Sequence, residues 1–329
     1  MWHKGTTNGP ADIAGVRVGH ASDHKAKTGT SVVVFDSPAT ASVYVLGQAP
    51  GTRETELLDP SRTVEKIDAL VLSGGSAFGL AGAEPVVEEL AKAGRGFQAG
   101  PARVPIVPAA ILFDLANDGK KPDDLQALYR ELGSTAFKTA DTSHAIGTVG
   151  AGTGATTGAC KGGLGSASSV FGDDAPEPLR GRTIAALVAV NAIGSPYIGD
   201  GPHFRAAPFE LDNEFGGLGM PEKPKNPTPQ MKMLAQPGQN TTIGAIITDI
   251  ALNKRACHSL AIAGQDGIAN AIYPAHTSLD GDLVFATSVS EDPLMDDPVL
   301  LALVQACATA TMARAIARGV HAATRPFQG

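Results

Sequence analysis

Apolar residues in this chain come in short blocks separated by glycine, proline and polar punctuation, a pattern of strands alternating with helices. Residues 31–35 and 41–46 read as strands, and so does the apolar block 69–72, which runs into the turn Ser73-Gly74-Gly75-Ser76. Asp59-Pro60 predicts the start of a helix with Val64, Ile67 and Leu70 on one face. A further helical stretch extends to about Gly94, with Pro85 marking a kink or its true beginning. Two glycine-rich turns, 150–155 and 161–165, precede a fully apolar strand over 184–190 that ends at Asn191. Residues 196–240 differ in texture. Rich in Pro, Gly, Asn and Lys, and broken by Pro221, Pro224, Pro227 and Pro237, they predict a long surface loop or linker. At Thr241 the texture changes to a strong β pattern over 241–248, then a helix over 253–270 and a strand over 283–289. Asp297-Pro298 opens a last helix with Leu300, Leu303, Val304, Cys307 and Met312 turned inward.

Composition narrows the class. With 18% charged and 5% aromatic residues and 39 glycines, the 329-residue chain suits a turn-rich α/β enzyme. A formal charge of −7 without any basic run excludes nucleic acid as the expected partner. Cys160, Cys257 and Cys307 form no CxxC pair and are expected to be reduced, in a cytoplasmic protein. No secretory signal is expected, nor any stretch long enough to span a membrane.

Several groupings could carry chemistry. A threonine hydroxyl needs a base, and the α-amine of an N-terminal threonine can be one, since its pKa is about 7.7–8.0. Asn240-Thr241 lies where the linker meets a strand, a natural place for processing that would free such an amine. Asp280 and Asp282 stand two apart in an extended stretch, so both carboxylates project to one side, and one should resist ionisation. Asn191 is placed to donate to an oxyanion. Lys161 could hold a carboxylate or lower a neighbour's pKa. Each also has a plain structural reading: a strand head, an Asp-Gly turn, a strand cap and a solvated lysine. His276 with Asp280 and Asp282, or His20 with Asp23 and His24, lack the further ligand a metal site needs, so no metal or cofactor is expected. The glycine turns miss the spacing of nucleotide-binding loops.

Longer motifs resolve these alternatives. Gly15-Val16-Arg17-Val18-Gly19-His20, Ala49-Pro50-Gly51-Thr52-Arg53-Glu54-Thr55 and Leu72-Ser73-Gly74-Gly75-Ser76-Ala77-Phe78-Gly79-Leu80 resemble the L-aminopeptidase/D-esterase family, which includes β-peptidyl aminopeptidases. Segments 150–155, 161–168 and 188–194 continue the likeness, while Asn240-Thr241-Thr242-Ile243 and His276-Thr277-Ser278-Leu279-Asp280-Gly281-Asp282 resemble its nylon-oligomer endo-hydrolase branch. The resemblance implies an α/β fold of stacked β-sheets sandwiched between helix layers, an αββα N-terminal-nucleophile hydrolase. It implies one domain over 1–329, cut into a 1–240 α chain and a 241–329 β chain that associate as a tetramer of heterodimers. Carried over by position, Thr241 is the nucleophile and Asp280 and Asp282 its acidic partners. Asn191 stabilises the oxyanion, and Lys161 falls on the active-site lysine. The implied substrates are linear polyamide oligomers or small peptides, or, in an exo-acting alternative, L- or β-amino-acid amides. The aminopeptidase branch commonly has Gly-Ser at the cut and a Ser/Glu pair where this chain has Asp280 and Asp282.

Overall fold

The computed structural model describes residues 1–324 except 159, 225, 227, 229, 233–238, 293 and 294, so Pro227 and Pro237 of the expected linker lie outside the described residues. The first half carries β1 (Trp2–Lys4), β2 (Val16–Asp23), β3 (Thr28–Val45), β4 (Thr52–Arg53), β5 (Lys66–Ser73), α1 (Ala83–Lys92), β6 (Phe97–Ala99), β7 (Ala102–Val104), β8 (Ala109–Ile111) and α2 (Leu125–Lys138). The second half adds β9 (Gly163–Phe171), β10 (Thr183–Asn191), β11 (Thr241–Thr248), α3 (Lys254–Ala271), β12 (Leu283–Ser288) and α4 (Pro298–Thr324).

Hydrogen bonding links the strands in the order β1-β9-β10-β11-β12-β3-β5-β8-β4, with β2 also on β3. The long strand β3 is the hinge between two halves. Residues 40–45 pair with β12, residues 28–35 pair with β2, and the register against β5 slips between Val34 and Ala39. The sheet thereby closes over one shared core. Period-two alternation sorts the side chains. Ala185, Leu187 and Ala189 of β10 and Ile243, Ala245 and Ile247 of β11 meet Val33, Phe35 and Leu70 of the other half. Ala186, Val188 and Ile246 face α3 and α4, while Val32, Val34, Ala69 and Val71 face α1 and α2. The layers run helix, sheet, sheet, helix, as expected.

Three expectations need correction. No helix begins at Asp59-Pro60: Glu56–Leu58 is a single 3-10 turn, and Ile67 and Leu70 belong to β5. Their helical spacing was coincidental within an apolar block that is buried on both faces between β3 and β8. The stretch after residue 196 is not all surface loop, because Phe204, Ala206 and Phe215 are buried in the core beside α4. Finally, α4 is long and apolar enough to cross a membrane, contrary to the sequence reading. It instead packs in the core and carries the fully buried Arg314, which donates to Glu214 Oε1 (2.5 Å), Ser168 O (2.9 Å) and Asn8 Oδ1 (3.0 Å).

Candidate active site

The paired ends of β10 and β11 build the centre. Asn191 stands directly opposite Thr241 in the antiparallel ladder, and both continue the inward-facing parity of Leu187 and Ile243. Just before β12's first residue, the chain folds so that Asp280 bridges to Asn240 as a parallel partner. Sequence neighbours at three separate positions thus converge at one edge of the inner core. All are buried: Asn240 is 0% exposed, Asn191, Asp280 and Asp282 1%, and Thr241 2%.

The Asn240–Thr241 peptide lies at the focus. The Thr241 hydroxyl donates to Asn240 O at 2.5 Å, and the Gly281 N–H donates to the same oxygen at 2.8 Å. Gly281 admits no side chain, since a Cβ would stand 2.3 Å from Ala49 O and 3.0 Å from Thr241 Oγ1. The Asn240 carboxamide has neither its oxygen nor its nitrogen partnered among the described residues. Each such buried group costs roughly 1–3 kcal/mol, so the residue before Thr241 is held at a strain in hydrogen bonding.

The two aspartates divide the labour. Asp282 Oδ1 accepts from Thr242 N at 2.6 Å, while Oδ2 accepts from His276 N at 3.1 Å and lies 2.9 Å from His276 Nδ1. Asp280 Oδ2 accepts from Thr277 N (2.9 Å) and Thr277 Oγ1 (2.7 Å), and Oδ1 from Ile193 N (3.3 Å). Burial, reinforced by the neighbouring charge of Asp282, raises the Asp280 pKa above the ordinary carboxylate range. Burial opposes protonation of His276, but its hydrogen bond to Asp282 and that carboxylate's charge outweigh it, and the net shift is upward. The loop after β3 braces this segment: Leu46 N and Gly47 N donate to Asp282 O at 3.1 and 2.9 Å, and Ala49 N donates to Asp280 O at 3.1 Å.

Asn191 is held from all sides. Its Nδ2 donates to Phe113 O and Gln239 O, each at 3.1 Å, and its Oδ1 accepts from Thr156 N at 3.0 Å. Phe113 is fixed in turn because its neighbour Asp114 accepts from Gly75 N (2.8 Å) and Thr28 Oγ1 (2.6 Å). Here the Ser73–Ser76 turn finds its purpose, with Gly75 at φ +87°, a left-handed conformation that suits glycine.

Lys161 stands apart from this network. Its exposed side chain lines a cavity of about 300 Å³ with Lys27, Asn117, Asp118 and Thr156, and among the described residues no hydrogen bond or ion pair joins it to Thr241, Asn191, Asp280 or Asp282. The lysine that does reach the centre is Lys232, whose Nζ donates to Asn191 Oδ1 at 3.2 Å and Asn191 O at 3.3 Å. Sequence reasoning missed it, along with the backbone groups of Gly281, Thr156 and Phe113. A single lysine in a polar linker carries no distinguishing signal, and main-chain donors carry none at all.

The chain's residues 8–327 match the family model described as peptidase family S58. An uncharacterized aminopeptidase of Mycobacterium tuberculosis is 39% identical over 340 residues, covering 95% of this chain and 93% of that protein. A 6-aminohexanoate-oligomer endohydrolase of Kocuria sp. is 27% identical over 304 residues, covering 87% of this chain and 76% of that protein. Among solved structures, the L-aminopeptidase D-Ala-esterase/amidase of Ochrobactrum anthropi, a variant of the Ntn hydrolase fold, superposes with a TM-score of 0.69 at 19% identity, covering 96% of this chain and 86% of that one. That likeness establishes the fold.

Proposed function

The chain belongs to peptidase family S58 and is an amide-bond hydrolase, and from that premise we propose that it cuts itself after Asn240 and then works through Thr241 as an N-terminal nucleophile. The observation that carries this reading is the Thr241 hydroxyl lying on the Asn240 carbonyl while Gly281 N–H donates to the same oxygen. Attack of Thr241 Oγ1 on the Asn240 carbonyl carbon puts negative charge on that oxygen, where Gly281 N–H is already aimed. Collapse breaks the C–N bond, the hydroxyl proton ends on the Thr241 nitrogen, and the acyl group rests on Thr241 as an ester. Water then hydrolyses the ester, releasing Asn240 as a carboxylate and restoring the Thr241 hydroxyl beside its now free amine. The Asn240 carboxamide, without a partner among the described residues, leaves its buried site in the same event.

In the mature enzyme that amine is the base for its own hydroxyl, because its ordinary pKa lies near neutrality. Asp282 fixes the strand at Thr242, and Asp280, with its raised pKa, is the neighbouring proton reservoir. Removal of Gln239 frees one Asn191 N–H, which then serves the substrate's oxyanion alongside Gly281 N–H. The 1–240 and 241–329 chains remain together, and the tetramer of heterodimers and cytoplasmic setting belong to the same proposal. We take the substrate to be a small peptide or amino-acid amide cut from its amino end. The relative named an aminopeptidase stands at 39% identity and the one named an endohydrolase at 27%. The test is denaturing mass spectrometry beside an amidase assay. Two fragments are expected, the smaller beginning at Thr241, and Thr241→Ala should remain one inactive chain; an active full-length Thr241→Ala protein ends the proposal.

A further inference from the structure

Lys232 is a cation inside a site whose chemistry, as described above, has no use for it. Its segment is pinned by backbone and side chain: Lys232 N donates to Ile193 O at 3.0 Å, and Gln230 Nε2 donates to Asp200 Oδ1 at 2.8 Å. Among the described residues the ammonium meets acceptors alone. It donates to the carboxamide oxygen and the main-chain oxygen of Asn191, with the Asp280 carboxylate attracting it. Two neutral oxygens backed by a carboxylate make a cradle for a primary ammonium group, which brings three N–H donors and no acceptor.

We propose that this cradle is the subsite for the free ammonium group of the substrate, and that Lys232 occupies it in the uncut chain as an internal stand-in. The inference rests on the aminopeptidase reading above and names what that reading lacked, the group that recognises the amine. Position supports it. Asn191 lies directly across the ladder from Thr241, where opposed Cα atoms are about 4.5–5.5 Å apart. An amine held on the Asn191 oxygens is therefore within one short amino acid of the nucleophile, on the acyl side of the bond to be cut. An endo-acting enzyme would leave such a cradle unused. Burial also pushes the Lys232 pKa down to about 8, against the pull of Asp280, so the ammonium is held there at some cost. Lys232 lies eight residues before Asn240, so scission there turns its segment into the free end of the upstream chain, and on this proposal self-cleavage and opening of the amine subsite are one event.

The test separates binding from catalysis. In the uncut Thr241→Ala chain, n-butylammonium is titrated by calorimetry with and without Lys232→Met. If Lys232 fills the cradle nine-tenths of the time or more, removing it should tighten the apparent affinity at least roughly tenfold, since occupancy scales the dissociation constant directly. Lys232→Gln should do the same, which guards against a folding defect in one variant, and n-butanol should bind neither. Equal or absent butylammonium binding across parent and variants overturns the proposal. In the cut enzyme, where Lys232 has left the cradle, n-butylammonium should inhibit hydrolysis of free amino-acid p-nitroanilides competitively and N-acetylated analogues should be poor substrates; free and acetylated substrates turned over alike also overturn it. Butylammonium binding that appears in the double variant while Thr241→Ala alone stays cut and active would sink the nucleophile assignment and leave the amine subsite standing.

Discussion

Replacing Asp282 with asparagine tests how the centre is held, because the change keeps shape and removes one acceptor. The carboxylate serves Thr242 N–H at 2.6 Å through one oxygen, and His276 N–H at 3.1 Å and Nδ1 at 2.9 Å through the other. An asparagine offers one oxygen and one NH2. If the oxygen faces Thr242, the NH2 confronts the His276 main-chain donor; if it is turned round, the NH2 confronts Thr242 N–H. Either way a buried donor loses its acceptor in a site that is 1% exposed, at a cost of roughly 1–3 kcal/mol. Thr242 follows the proposed nucleophile directly, so that cost falls on the alignment of the Thr241 hydroxyl with the Asn240 carbonyl. Translated into rate, self-cleavage of Asp282→Asn should slow by about 5- to 150-fold. A time course of fragment appearance after pulsed expression measures it, and urea unfolding in the uncleavable Thr241→Ala background measures the accompanying loss of stability. Processing within a factor of about two of the parent, together with an unchanged unfolding midpoint, would refute the claim that Asp282 aligns the site.

Two further outcomes are expected. Arg314→Met strips Glu214 of its bonds at 2.5 and 3.0 Å, leaving Arg318 Nε at 3.4 Å as its only cation among the described residues, and should cost about 3–5 kcal/mol in urea unfolding of the Thr241→Ala chain; a loss under about 1 kcal/mol would contradict it. His20 and His144 are pushed down to about 3 and about 4, chiefly by burial, with repulsion from His144 adding to it at His20 and from Arg318 at His144. Their folded pKa values lie below the unfolded value of about 6.5, so the unfolded chain takes up protons first and stability drains away as pH falls below that value. Thermal unfolding at pH 7 and pH 5 should show a larger drop in the parent than in His20→Gln/His144→Gln, and equal drops would count against the argument.

What was legible in the sequence follows from where the signal resides. Strands β10, β11 and β12 carry uninterrupted apolar blocks, and their boundaries were read within a residue or two because burial on both faces demands that composition. Thr241, Asp280 and Asp282 stood out through side chains with chemistry of their own, although only the family resemblance raised them above a strand head and a turn. The misread helix at Asp59-Pro60 came from the opposite situation. Val64, Ile67 and Leu70 carry helical spacing, but β5 is flanked by strands on both sides, and tertiary pairing overrode the local pattern. Lys232, Gly281 N–H, Phe113 O and Thr156 N could not be read, since their importance arises from placement by distant segments rather than from residue type.

The position of the proposed cut makes structural sense in those same terms. Strand β11 is hydrogen-bonded to β10 along its whole length and to β12 from Ile243 onward, and β12 pairs in turn with β3. Both β10 and β3 precede the cut, while β11 and β12 follow it. The downstream piece is therefore interleaved between two upstream strands, and its helices α3 and α4 cover the outer face. Scission after Asn240 breaks none of the ladder bonds of β11, so the new terminus stays rigidly registered against Asn191, while the upstream end is released from it. A hydrolase of this kind needs a nucleophile that does not move and a propeptide end that does. Breaking the chain at the first residue of an inner strand supplies both at once, whereas a cut even a few residues inside β11 would destroy the ladder that positions the hydroxyl.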